Sequence, residues 1–131
     1  MSLIQRIVNP QALTALYGSE VPLVGAEIVE VHLKRDEPRL SVRIMTTRKP
    51  LSQPNRWPKD YDVVYLGLSF IGVSGISIDG WGHDNMVATF ESTITDNVAS
   101  IEINCKEGLS IELKCDWVRV EGVTYGNLGS T

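Results

Sequence analysis

The sequence predicts an α+β fold that is mostly β: one short N-terminal helix packed on an antiparallel sheet of about seven strands, joined as a meander of hairpins. Three observations carry that expectation. One segment, Asn9 to Gly18, has both the punctuation and the apolar spacing of a helix. From Val29 onward the apolar residues recur at every second position. The last two alternating runs are joined by Lys106-Glu107-Gly108, a three-residue loop with glycine where a left-handed backbone is needed.

The helix is read from its ends inward. Asn9 suits the N-cap, Pro10 the first helical position, and Gly18 a C-terminal residue with positive φ. Between them Ala12, Leu13, Leu16 and Tyr17 form an apolar stripe. A helix of about two turns is marginal alone, so packing must hold it.

In the first hairpin Val29, Val31 and Leu33 alternate with Glu30, His32 and Lys34. Across the turn Arg35-Asp36-Glu37-Pro38, Leu40, Val42 and Ile44 alternate with Ser41 and Arg43. Setting Leu33 against Leu40 places Glu30 opposite Arg43, an attraction of up to about 1 kcal/mol on the polar face. Residues 46–60, TTRKPLSQPNRWPKD, have neither period and hold three prolines. A connection of that length in a compact domain is often functional or mobile. Strands resume at Tyr61 to Ile71, with Val64, Leu66, Leu68 and Phe70 on one face, and at Ile76 and Ile78. Another run places Met86, Ala88, Phe90 and Ile94 inward, with Thr89, Glu91 and Thr93 outward.

The last hairpin also settles the two cysteines. Keeping Ile101, Ile103 and Cys105 on the same face as Leu109, Ile111, Leu113 and Cys115 pairs Cys105 with Leu109. Cys115 then lies about 20 Å along the strand from the position opposite Cys105. A disulfide needs Cα atoms within about 7 Å, so both thiols are expected reduced and buried, as in a reducing compartment. From Glu121 the glycine-rich end, 121–131, reads as a flexible tail.

The length of 131 residues fits one domain, 1–131, and a chain of that size buries roughly two-thirds of its surface. A net charge of −4 with no basic block disfavours nucleic acid and anionic membranes as partners. Leu3-Ile4 is interrupted by Gln5 and Arg6, which does not read as an export signal, and no apolar run reaches membrane length. The expected location is cytoplasmic.

The stretch IDGWGHDN, Ile78 to Asn85, invites chemical readings. Gly80-Trp81-Gly82 begins like a phosphate cradle, but Asn85 stands where the third glycine belongs and a strand follows where a helix is required. Gly72-Val73-Ser74-Gly75 lacks the final glycine of a nucleophile elbow. His32 and His83 are the only histidines, and His83 with Asp79 and Asp84 is a thin zinc set. No catalytic residue, cofactor or metal is expected. The remaining reading is a turn whose glycines permit positive φ and whose Asp84 or Asn85 bonds its own backbone. Strand parity turns Trp81 outward, whereas a bulge would swing it into the core. An outward Trp beside His and Asp suits a protein contact. Trp57 in the long loop presents the same choice between anchor and plug.

Taken together, NPQALTALYG (Asn9 to Gly18), Val21-Pro22, VHLKRDEPRLSVRI (Val31 to Ile44) and LSFIGVSGISIDGW (Leu68 to Trp81) resemble the immunity protein 50 family of bacterial polymorphic-toxin systems. The resemblance runs from Asn9 to about Trp117. Members of that family tend to carry glycine in the charged turn where this chain has Glu37. The resemblance implies a non-enzymatic cytoplasmic protein that binds a cognate toxin domain and blocks it. The residues expected at the contact are Trp57, Asp79, Trp81, His83 and Asp84. A competing expectation is a small-ligand-binding β domain, which would need a cavity among Val64, Leu66, Phe70, Phe90 and Ile111.

Overall fold

A computed structural model of the chain describes residues 7–18 and 22–128; the Leu3-Ile4 segment and Val21 lie outside them. The described residues form one helix, α1 (Gln11–Tyr17), and eight strands: β1 (Glu27–Lys34), β2 (Arg39–Thr46), β3 (Val63–Ile71), β4 (Ser74–Asp79), β5 (Val87–Thr95), β6 (Val98–Cys105), β7 (Ser110–Cys115) and β8 (Trp117–Gly126). The mostly β class stands, but the expected single sheet is two. One has the order β1-β2-β3-β8 and the other β4-β7-β6-β5, all antiparallel.

The division arises at two corners. After β3 the chain turns at Gly72, where φ is 71° and the amides of Gly72 and Val73 bond the Pro38 carbonyl at 3.0 and 2.9 Å. On the return, Asp116 alone separates β7 from β8, and its amide bonds the Ile71 carbonyl at 2.9 Å. A side chain on Gly72 would meet the Asp116 carboxylate, and its φ of 71° suits glycine, so residue 72 lets the two crossing segments lie against each other. At the opposite corner the start of β1 bridges Met86, just ahead of β5.

The inner faces share one core. Leu40, Val42, Ile44, Leu66, Leu68 and Phe70 come from the first sheet, and Ile101, Ile103, Ile111 and Leu113 from the second. Val64, Leu66, Phe70 and Ile111 are fully buried and Phe90 packs against them, so side chains fill the space a ligand cavity would need. That observation removes the support the small-ligand reading required.

The first hairpin takes the expected register, with Leu33 opposite Leu40 and Glu30 opposite Arg43. Its inward set differs. A bulge between Ile28 and Glu30 shifts the phase, so Ile28 is buried and Val29 becomes the extra residue. Leu33, at the tip of an outer strand, stays 59% exposed. The same device acts at β5: a bulge between Val87 and Thr89 buries Val87 and turns Met86 outward, contrary to the expected inward Met86. Glu37, in the charged turn, has φ 50°. In the last hairpin the Cys105 amide bonds the Leu109 carbonyl at 2.8 Å and Gly108 has φ 109°. Cys115 lies opposite Ala99, no disulfide joins the two cysteines, and both are buried. Burial pushes the Cys105 thiol up.

The helix is shorter than 9–18 and its first turn is built differently. Pro10 takes the N-cap position, while the Asn9 amide group bonds both the amide and the carbonyl of Val120, each at 2.9 Å. Asn9 thus satisfies the free edge of β8 as a strand residue would, in line with the parallel bridge of Ile7 to Val118. Gly18 ends the helix with φ 68°. The Tyr17 hydroxyl donates to the Arg48 carbonyl at 2.8 Å, and burial, with the nearby Tyr61 charge, pushes it up to about 12.

Two expectations need correction. The stretch from Glu121 is no frayed tail as far as Gly126: it is the second half of β8, paired with β3 up to Val63–Gly126. Gly126 serves close approach, since a side chain there would strike the Tyr65 ring, whereas one at Gly122 would meet open space. Residues 129–131 lie outside the described ones. The proline-rich loop is irregular but anchored, because Trp57 is only 7% exposed and meets Tyr61 and Tyr125 edge-on at 5.7 and 5.6 Å.

Candidate functional site

The turn after β4 shows what the two glycines of IDGWGHDN do, and they do different things. Gly80 has φ 85°, and a Cβ there would lie 2.5 Å from the Gly108 carbonyl oxygen. The end of β4 therefore rests directly on the β6–β7 loop, a contact only glycine permits. Gly82 has no such need, since a Cβ would meet nothing closer than 3.8 Å.

Asn85 pins the turn. It is 3% exposed, its Oδ1 accepts from the Gly82 amide at 3.2 Å, and its Nδ2 donates to the Gly82 carbonyl at 2.9 Å and the Ile28 carbonyl at 3.4 Å. Its own carbonyl accepts from the Ile28 amide at 3.0 Å and from the Cys105 thiol at 3.5 Å. One buried amide side chain thus holds the turn closed and ties it to β1. Asn85→Ala removes three hydrogen bonds and leaves the Gly82 groups without their buried partner, so a loss of about 2–4 kcal/mol is expected. Urea denaturation measures that loss, and a midpoint within error of wild type would contradict the pinning role.

Held this way, Trp81 stays on the surface, 51% exposed, which decides between the two orientations left open by strand parity. It stands over a groove of about 550 Å3 lined by Val29, Val31, Leu33 and Ile78, with Glu30 and His32 at the rim. Asp79, His83 and Asp84 are exposed on the same turn or at its base. The structure therefore gathers four of the five expected contact residues. It separates Trp57, which is buried at the β3–β8 end of the molecule. Among the described residues no group of three His, Cys, Asp or Glu is placed to hold a metal ion.

A second surface was invisible in the linear sequence. Glu91 pairs with Glu102, and Glu102 with Glu112, so three carboxylates form one row across the outer face of the second sheet. Like charges directly opposite one another destabilise a sheet. The strand order β7-β6-β5 brings them together from positions far apart in the chain.

Fold and turn define the class: a small two-sheet β protein with one helix, presenting an exposed aromatic corner held by backbone contacts. The family model described as immunity protein 50 matches residues 9–126, and the chain belongs to that family. No curated protein and no solved structure matches it. No helix among the described residues is long and apolar enough to cross a membrane.

Proposed function

We propose that this chain neutralises a cognate bacterial toxin domain in the cytoplasm by direct contact, without catalysis, and that Trp81 with Asp79, His83 and Asp84 forms the contact. Membership of the immunity protein 50 family supports the role. The observation that carries the site is Trp81: a large aromatic side chain left half in water on a turn fixed by Gly80 and Asn85. An exposed indole on a rigid backbone loses little conformational freedom when a partner covers it, which is how aromatic anchors come to dominate interfaces. The polar neighbours suit a rim.

Calorimetric titration with the cognate toxin domain tests the reading. Trp81→Ala is expected to weaken the complex at least about 30-fold, the effect of losing a central anchor. The toxin should emerge from the complex with unchanged mass and with its activity blocked. Absence of a complex, or a toxin altered covalently on contact, would sink the reading of the role. A complex indifferent to Trp81→Ala but weakened by Glu102→Gln would move the contact to the carboxylate row, the alternative surface that a basic toxin face would select.

A further inference from the structure

We infer that β1 is a self-pairing edge, through which two copies of this chain join their first sheets across a two-fold axis at His32. The inference is independent of the toxin reading and rests on the state of the strand edges. An unpaired edge is a template for another strand, and proteins cover or blunt most of theirs. Here the first part of β8's outer edge, Val118 to Val120, is covered by residues 7–9, through Ile7, the Val8 amide and the Asn9 side chain. Its second part carries Gly122 and Gly126, which weaken it as a template. The start of β5 is taken by Gly25 and Ala26, and its exposed positions beyond are Thr89, Glu91 and Thr93. β4 is short and interrupted by a bulge between Ser74 and Ser77. On β1 the first residues are also occupied, since the Ile28 amide bonds Asn85 and Glu27 bridges Met86. Among the described residues, the run from Glu30 to Lys34 is the part of β1 with no strand beyond it, with apolar Val31 and Leu33 on its inner side.

That run is complementary to itself. A two-fold axis perpendicular to the sheet brings inner residues opposite inner residues, which restricts the antiparallel registers to those centred on a residue. Centring on His32 sets Val31 opposite the second copy's Leu33 and Glu30 opposite its Lys34, each twice by symmetry. All five positions lie clear of the stretch already paired with residues 85–87. Opposite charges and an apolar pair in those places favour antiparallel pairing. Leu33, 59% exposed in the single chain, gains a neighbour, and the incoming Val31 and Leu33 lie toward the groove lined by Ile78 and Trp81. The result is a continuous eight-stranded sheet, an isologous contact of the kind closed dimers use.

A five-residue strand contact is smaller than a standard interface, so the dimer is expected to dissociate between about 1 μM and 1 mM. Sedimentation equilibrium of the whole chain should show the mass rising with concentration from 14.5 kDa toward twice that value. Lys34→Glu turns two attractions into two repulsions and should weaken the dimer at least about tenfold. Glu30→Lys combined with Lys34→Glu restores the complementary pairs and should restore the dimer, which a merely structural effect of either substitution would not do. Leu33→Asp, at an exposed site the single chain tolerates, should abolish it. A mass fixed at 14.5 kDa up to about 1 mM overturns the inference. So does a dimer unmoved by Lys34→Glu and Leu33→Asp, or a double exchange that fails to restore association. Protection of the β1 amides from hydrogen exchange only after toxin is added would assign the edge to that partner and likewise refute self-pairing.

Discussion

Gly80→Ala is expected to lower stability by at least about 3 kcal/mol, whereas Gly82→Ala two residues away changes it by less than 1 and in the stabilising direction. Two costs meet at residue 80. Its φ of 85° is one that side-chain-bearing residues avoid, and the added carbon would press on the carbonyl of Gly108, a backbone atom with no rotamer to change. At residue 82 neither cost exists, and alanine merely restricts the unfolded chain. Thermal unfolding separates the two, with Gly80→Ala melting about 10 °C lower on the size scaling of such domains. Equal melting temperatures for the two variants would show that β4 does not need its seat on the β6–β7 loop. Because the same seat fixes Trp81, the proposed contact through that residue predicts that Gly80→Ala also weakens toxin binding in the fraction that remains folded.

Trp57→Ala is expected to cost about 3–5 kcal/mol of stability while leaving the affinity of the folded protein for its partner unchanged. The indole sits edge-on to both Tyr61 and Tyr125, and it closes the end of the sandwich from which the loop departs. Removing it opens a cavity and frees the loop together. Guanidinium denaturation reads the first effect and titration of the folded variant reads the second. The contrast with Trp81→Ala is the informative part: the buried tryptophan should govern the melting curve and the exposed one the binding curve. If Trp57→Ala instead left stability intact and abolished binding, the loop would have to leave the core when the partner arrives.

These two tryptophans show how far a sequence can be read here. In the sequence both are candidates for a contact, each next to turn-forming residues, and nothing local distinguishes them. Trp57 is buried because Tyr61 and Tyr125, the latter more than sixty positions away, converge on it at the β3–β8 end. Trp81 is exposed because Asn85 binds the turn to β1 and Gly80 binds it to the β6–β7 loop, both long-range contacts. The glycines after Glu121 illustrate the same limit. Composition suggests fraying, but Gly122 lies opposite Gly67 at a bulge and Gly126 sits against Tyr65, and both are paired strand positions.

Local pattern alone determined a good deal: the existence and place of the helix, the alternating strands, the register of the first and last hairpins, and the separation of Cys105 from Cys115. Those features depend on contacts between residues close in the chain, where periodicity and turn chemistry act directly. Only the tertiary structure decided the split into two sheets at Gly72 and Asp116, the phase shifts that bury Ile28 and Val87, and the alignment of Glu91, Glu102 and Glu112. The reason is that alternation tells which residues of a strand share a face, while the insertion of one extra residue or the turning of a corner is set by which distant backbone groups come within hydrogen-bonding reach.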